Sequence, residues 1–470
     1  MEGDLRNLPA FEPILAGPST IHTVQFSGSG HGTYPLTWSQ EWLWRGIVLT
    51  APNIERMNLG RIVPVPSGLP LGSTLRAISA LMHRHEALRT RFHLDERGRP
   101  RQVVADRGEL TVEEYEAAGA DCRDVARAVK ERLCAAPFTA PEVSLRVALI
   151  TEEQRPVMLV LCAFHMATDA WGAGRIVDDL TSIMGSLRDG IFDLLSSFPT
   201  QVHERLEFEQ GAQGVRCSER SLEYWGKQIS RFPENSLPAA EGKPDGAPFR
   251  EISMDSAALA ATCRALAQRA KVGVGAVFIG LTATLLSAIN GNAGVGFLVF
   301  THNRYGRNWA KLSGPLVQDF PLYVEVAGRT LLEVARDIDQ TTLSGSFYGQ
   351  YNPTRLPSLL SSVSGSLGFN PDLSCAVNTK LSRESGPSTR ERGALKVAAP
   401  QDVERLTGET RIDVGAGLHR EDMNLFFSID CRTHRAEILM RANTRIFSTS
   451  QMRDFLRNLE GSSVLNLTGA

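Results

Sequence analysis

Nine consecutive apolar residues, Pro156-Val157-Met158-Leu159-Val160-Leu161-Cys162-Ala163-Phe164, run straight into a histidine, His165. A short run that is continuously apolar, rather than alternating, fits a strand covered on both faces. After a short turn, Ile176, Val177, Leu180, Ile183, Met184 and Leu187 recur at helical spacing. Strand, turn and helix around one histidine is an α/β arrangement of the kind that places chemistry at a strand end.

The rest of the chain mixes the same two periods. Leu71, Leu75, Ile78, Leu81, Met82 and Leu88 recur every three or four residues, which predicts an amphipathic helix closed by Arg84, His85 and Arg89. Helices are expected from about Asp255 to Ala270 and from Val274 to Ile289, ahead of a strand Val295–Phe300. Strands are expected near Asn424–Ile429 and Ala436–Met440, then a helix from Ser450 to Leu459 stopped by Gly461. Residues 1–33 are rich in Gly, Pro and Ser and read as a loose leader, and Lys380–Gly415 reads as a long surface loop. At 470 residues the chain exceeds one ordinary core. We expect a leader at 1–33, an N-terminal lobe at 34–205 and a C-terminal lobe at 206–470, with the Pro/Ala/Gly-rich stretch Phe232–Phe249 as a connection.

Composition removes several function classes. Lys and Arg number 50 against 52 Asp and Glu, so no net field draws the chain to nucleic acid or an anionic membrane. The 7 cysteines are odd in number and scattered without a CxxC pair, which argues against a disulfide framework or a zinc site and suits a reducing cytoplasm. The start Met1-Glu2-Gly3-Asp4-Leu5-Arg6 lacks the basic and apolar blocks of a secretory signal. The most apolar long stretch, Gly275–Ile289, is short for a membrane span and reads as a buried helix.

An unperturbed histidine titrates near neutrality, so His165 could take a proton from an attacking amine or hydroxyl and return it to a leaving group. Asp169, four residues on, would fix the local backbone. The pair alone is weak, since a lone histidine at a strand end more often bonds a neighbouring carbonyl.

Other segments strengthen it. Tyr34-Pro35-Leu36-Thr37-Trp38-Ser39-Gln40-Glu41-Trp42-Leu43-Trp44 and Arg84-His85-Glu86-Ala87-Leu88-Arg89-Thr90-Arg91-Phe92 resemble the first two motifs of nonribosomal peptide synthetase condensation domains, the second almost letter for letter. Pro137-Phe138 with Ser144–Ile150, then Glu223-Tyr224-Trp225, Asn303-Arg304, Gly314 through Pro321-Leu322, and Asn443 with Phe447 follow in that family's order. Its active-site pattern, His-His-x-x-x-Asp-Gly, maps onto Phe164-His165-Met166-Ala167-Thr168-Asp169-Ala170. Phe164 stands for the first histidine and Ala170 for the glycine.

The resemblance implies two chloramphenicol-acetyltransferase-like lobes as a V-shaped pseudo-dimer with a central substrate channel. It implies His165 as the catalytic group, Asp169, Arg304, Arg84 and Arg89 as supports, and Phe164, Ala170 and Trp171 along the channel. The donor would be an acyl or aminoacyl thioester on a carrier protein's phosphopantetheine arm, and the acceptor a small or carrier-bound amine or hydroxyl, with no bound cofactor or metal. With no adenylation or carrier segment in the sequence, a free-standing enzyme is expected. Three alternatives remain: a coenzyme A-dependent His-x-x-x-Asp acyltransferase, a non-catalytic recruiting relative, and an epimerising or cyclising relative.

Overall fold

The computed structural model describes residues 18–51, 54–139, 142–191, 198–306, 308–380, 400–431 and 434–468. They form two compact units. The first takes its residues from Met1–Leu43, Pro52–Glu207 and Gly306–Pro315, and the second from Trp44–Ala51, Phe208–Tyr305 and Leu316–Ala470. The division departs from a single cut near residue 205 in two places: Trp44–Ala51 groups with the second unit, and Gly306–Pro315 with the first.

In chain order the first unit contains strands β1 (Thr20–Ser27) and β2 (Gly32–Pro35), helix α1 (Trp38–Thr50, whose later residues group with the second unit), β3 (Asn58–Pro64), α2 (Leu71–Arg84), β4 (Thr90–Leu94), β5 (Pro100–Val104) and β6 (Arg107–Glu116). Then come α3 (Cys122–Cys134), β7 (Leu145–Glu152), β8 (Arg155–Phe164), α4 (Ala170–Arg188) and most of α5 (Val202–Gln210). The main sheet has the order β1-β6-β7-β8-β3, and β2-β5-β4 form a small second sheet. Strand β8 is covered on both faces, as its unbroken apolar run predicts. Leu159, Leu161 and Ala163 join the cluster with Ile78, Leu81, Ile176 and Leu180 of α2 and α4, while Val160 and Cys162 face Ala126, Val129 and Leu133 of α3. That alternation is the two-residue period of a strand between two helical layers.

The expectation of a loose leader is corrected from Thr20 on; residues 1–17 lie outside the described residues. Strand β1 pairs antiparallel with β6, Val24 opposite Leu110 and Phe26 opposite Gly108. The glycines after it are also committed. A Cβ on Gly28 would sit 2.5 Å from the Arg89 guanidinium, and Gly30 takes φ +81°, where a Cβ would lie 2.6 Å from Glu86 Oε2. Arg89 itself is 1% exposed. Its Nε donates to Met82 O at 3.0 Å, Nη2 to Ser29 O at 2.6 Å and Nη1 to Ala105 O, so one guanidinium ties three separate segments together.

The second unit contains α6 (Ala212–Ile229), β9 (Phe249–Ser256), α7 (Ala257–Ala270), α8 (Val274–Asn290), β10 (Gly294–Thr301), β11 (Gln318–Glu325), α9 (Leu331–Gly345), α10 (Leu356–Leu367) and β12 (Cys375–Thr379), followed by α11 (Pro400–Thr407), β13 (Arg411–Leu418), β14 (Leu425–Asp430), β15 (Ala436–Asn443) and α12 (Thr449–Thr468). The strands form one sheet in the order β11-β10-β12-β14-β15-β9-β13. Its core joins Phe278, Leu281, Phe297, Phe320, Phe427 and Phe455. The expected long loop Lys380–Gly415 is corrected where it is described: 400–407 are helical and β13 pairs with β9; 381–399 lie outside the described residues. Among the described residues no single helix is long and apolar enough to cross a membrane.

Candidate active site

The end of β8 turns sharply. Ala167 N–H donates to Phe164 O at 2.9 Å, closing a four-residue turn whose second residue is His165. Gln40, from α1, accepts from Thr37 N–H at 2.9 Å and donates through Nε2 to Met166 O at 3.2 Å and to Gln102 Oε1 at 3.0 Å. The first motif of the sequence thus holds the peptide next to the histidine.

Helix α4 starts at once. Asp169 is its N-cap, accepting from Gly172 N–H at 2.8 Å, and this satisfies one of the amides that have no acceptor inside the helix. Thr168, wholly buried, donates to Ser313 O at 2.7 Å. Ser313 comes from the segment 306–315 that packs with the first unit. A Cβ on Gly172 would lie 2.1 Å from Ser313 O and 2.5 Å from Thr168 Oγ1. We therefore expect Gly172→Ala to displace this junction, destabilising the chain by about 1–3 kcal/mol and reducing transfer. Gly185→Ala, on the same helix with open space around it, is expected to raise stability by about 0.5–1 kcal/mol. Thermal melts of the two variants check the contrast, and equal shifts would refute the packing argument.

His165 is half-buried, and its Nδ1 is fully buried without a hydrogen-bond partner, which leaves Nε2 as the ring nitrogen reached by solvent. Burial is the largest influence on its proton affinity and lowers its pKa from the ordinary 6.5; the Asp169 charge and nearby backbone groups pull the other way and do not overcome it. At neutral pH the imidazole is a neutral base with one open nitrogen, which is the form a general base requires. The acid limb of kcat/KM is therefore expected to fall below pH 6.5. A profile between about pH 5 and 8 tests this, and a limb above the ordinary histidine value would contradict it. The stability consequence has the same origin. The unfolded chain binds a proton more readily here than the folded one, so this histidine erodes stability as pH drops through 6.5 toward its folded value.

The second motif builds the support under this junction. Asp179 of α4, 4% exposed, accepts from Arg84 Nε at 2.7 Å, His85 Nε2 at 3.0 Å and Arg175 Nη2 at 2.9 Å. Burial alone would raise its pKa, yet the bonds from His85 and Arg84 hold it down to about 2. His85 is fully buried, and burial lowers its pKa despite Asp179. With the ring neutral, Nε2–H donates to the carboxylate and Nδ1, 3.0 Å from Ser313 Oγ, accepts its hydroxyl hydrogen. Asp179, His85, Ser313 and Thr168 form one chain of contacts ending at the start of α4.

A family model for the condensation domain matches residues 31–460. The chain belongs to the condensation domain family. Phosphinothricin tripeptide synthetase PhsB of Streptomyces viridochromogenes is 28% identical over 235 residues, 47% of this chain and 18% of that synthetase. The chain thus spans a small part of the curated relatives it matches, 6% of the chondramide synthase of Chondromyces crocatus in another case. A structure describing condensation-domain-mediated chain release from the enacyloxin polyketide synthase aligns with TM-score 0.70 at 16% identity, over 94% of this chain and 83% of that one. The SgcC5 protein of Streptomyces globisporus aligns with TM-score 0.67 at 19% identity, over 92% and 99%. The chain has the chloramphenicol-acetyltransferase-like fold of condensation domains, which are acyltransferases forming amide or ester bonds.

Against the condensation pattern both departures have a local explanation. The Phe164 ring packs against Phe138, stacked at 5.5 Å, and Phe92, edge-on at 5.9 Å, and the residue is 7% exposed. Ala170 is the first helical residue of α4 and is not among the described residues with positive φ, so its methyl group carries no backbone strain. Ala170 is exposed and Trp171 half-buried. Arg84 and Arg89 make the structural ties described above. Arg304 lies in the second unit, 4% exposed, with Nη1 donating to His302 O at 3.2 Å.

Gln40, Asp179 and Ser313 were not singled out from sequence. Asp179 left a signal: it sits three residues after Ile176 and four before Ile183, on the apolar face of α4, where a carboxylate needs a buried partner. Ser313 left none.

Proposed function

We propose that this condensation domain is a free-standing enzyme of a nonribosomal peptide-type pathway. It transfers an acyl or aminoacyl group from the phosphopantetheine thioester of a separate carrier protein to an amine or hydroxyl. The observation that carries the proposal is the placement of His165: a neutral imidazole with one open nitrogen, fixed at a turn by Gln40 and the capped start of α4. Nε2 takes the proton of the nucleophile as it attacks the thioester carbonyl and passes a proton to the departing thiolate. The Ala170 amide, in the first turn of α4, is available to the oxyanion. Holding thioester and nucleophile together supplies the remaining acceleration, and no acyl-enzyme is needed.

A second reading has a specific support. Starter condensation domain variants of rhizomide synthetase have been solved with C8-CoA, in one case together with Leu-SNAC, which favours a coenzyme A thioester as the donor. The deciding experiment incubates the chain with acyl-loaded carrier protein, or with the matching acyl-CoA, and a panel of amines and alcohols, followed by intact mass spectrometry. Loss of the acyl mass from the carrier with appearance of an amide or ester supports the carrier donor. Equal or better use of acyl-CoA transfers the assignment to the second reading. Carrier binding without any transfer would sink both in favour of a recruiting role.

A further inference from the structure

The face of β8 opposite α2 and α4 holds a thiol pair outside the acyl-transfer site. Cys162, buried in β8 three residues before His165, lies with its Sγ 3.5 Å from Sγ of Cys134, the half-buried last residue of α3. The pair is held from both sides. Gly60 of β3 lies opposite Cys162 in the sheet, and a Cβ there would come within 2.9 Å of the Cys134 sulfur, so the missing side chain makes room for it. Asn58 Nδ2 donates to Cys134 O at 3.0 Å and to Ala136 O at 2.9 Å, and Arg146 Nη1 donates to Leu133 O at 3.1 Å. These bonds occupy the carbonyls at the end of α3, whose partial negative charge would otherwise oppose a thiolate.

The two sulfurs differ chemically. As a dithiol, Cys134 donates to Cys162 Sγ at 3.5 Å and Cys162 to Leu133 O at 3.5 Å. Once Cys134 loses its proton, a hydrogen bond from Cys162 supports the thiolate, burial opposes it, Lys130, Arg146 and Arg61 assist, and its pKa falls to about 7. Burial pushes Cys263, Cys375 and Cys431 up, and Cys122 is raised for the same reason. A thiolate is the nucleophile in disulfide exchange.

We infer that Cys134 and Cys162 form a modification site for low-molecular-weight disulfides, Cys134 as the attacking sulfur and Cys162 as the resolving one. Cys134 thiolate attacks one sulfur of the small disulfide, forming a mixed disulfide and releasing the first small thiolate. That removes the hydrogen bond to the Cys134 thiolate, and its charge, which together with burial hold the Cys162 thiol up. Cys162 then gives up its proton, attacks Cys134 Sγ and releases the second small thiolate. The protein dithiol is oxidised, the small disulfide is reduced to two thiols, and both protein hydrogens end on those thiols. Closure shortens the sulfur separation from 3.5 Å to about 2.05 Å and ties the end of α3 to the strand that leads into His165. The inference does not depend on the acyl donor or on transfer activity.

The native chain is exposed to oxidised glutathione, quenched with acid, alkylated and mapped as peptides. The expected wild-type product is a Cys134–Cys162 linked peptide pair, lighter by two hydrogens and reversed by reductant, formed before Cys122 or Cys217 is modified. In Cys162→Ala, Cys134 is expected to hold glutathione as a lasting mixed disulfide, and in Cys134→Ser, Cys162 is expected to remain a free thiol. Reaction at Cys134 no faster than at Cys122 or Cys217 would overturn the inference. So would a wild-type mixed disulfide that never closes, or a Cys162 that reacts in the absence of Cys134.

Discussion

His165→Ala is expected to lower the turnover number of acyl transfer by about 100- to 10,000-fold and to leave KM for the acyl donor and the melting temperature nearly unchanged. The size is that of a positioned proton acceptor. The residual rate reflects substrates held together without a base. Stability is expected to survive because Nδ1 is already buried without a partner, so truncation breaks no hydrogen bond. A stability change within about 1 kcal/mol is the allowance for lost packing. Turnover compared with circular dichroism melts separates the two effects. A variant as active as wild type would remove the base role and leave orientation as the source of any transfer. A variant that unfolds would mean that the ring is structural.

The region around His165 was legible in the sequence because β8 is buried on both faces and α4 on one, so each wrote its own period into the chain. The segments that were misread are held by other means. In β13 the pattern is mostly exposed, and the strand is secured by its backbone ladder to β9, which leaves no apolar signature. Strand β1 buries only Val24 and Phe26, between stretches whose Gly and Ser suggest looseness. Helix α12 was expected to stop at Gly461 and instead runs to Thr468. A glycine inside a helix costs about 1 kcal/mol, and packing of Phe455 and Leu459, with Ser463 Oγ 2.6 Å from Thr262 Oγ1 beyond the glycine, outweighs it. The site divides the same way. His165 and Asp169 lie in one short segment with a recognisable pattern. The contact of His85 with Ser313 joins positions 228 residues apart, and no local period encodes such a pairing.

Asp179→Ala is expected to be the most destabilising of these substitutions, at about 3–5 kcal/mol, because it removes from a buried charge cluster the one carboxylate that Arg84, His85 and Arg175 share. Arg84 and Arg175 would face one another across the space of the missing carboxylate, and the fully buried His85 would lose the acceptor for its Nε2–H. Set against a total stability of about 5–15 kcal/mol, that loss is a large fraction. Asp179→Asn keeps an acceptor and the volume but not the charge, so a smaller loss is expected. The wild-type carboxylate, with its pKa held at about 2, stabilises the folded chain above the ordinary aspartate value of 3.8. That contribution disappears as pH falls from 3.8 toward 2, where both states are protonated. The penalty of either substitution should therefore be full at neutral pH and shrink in acid. Urea denaturation at neutral and acidic pH measures it, and a penalty independent of pH would show that the carboxylate acts through packing rather than charge. Because Ser313 links this cluster to Thr168, the Asn variant should also lose turnover while still folded. Full activity in a folded Asp179→Asn protein would confine the cluster to stability and disconnect it from the histidine.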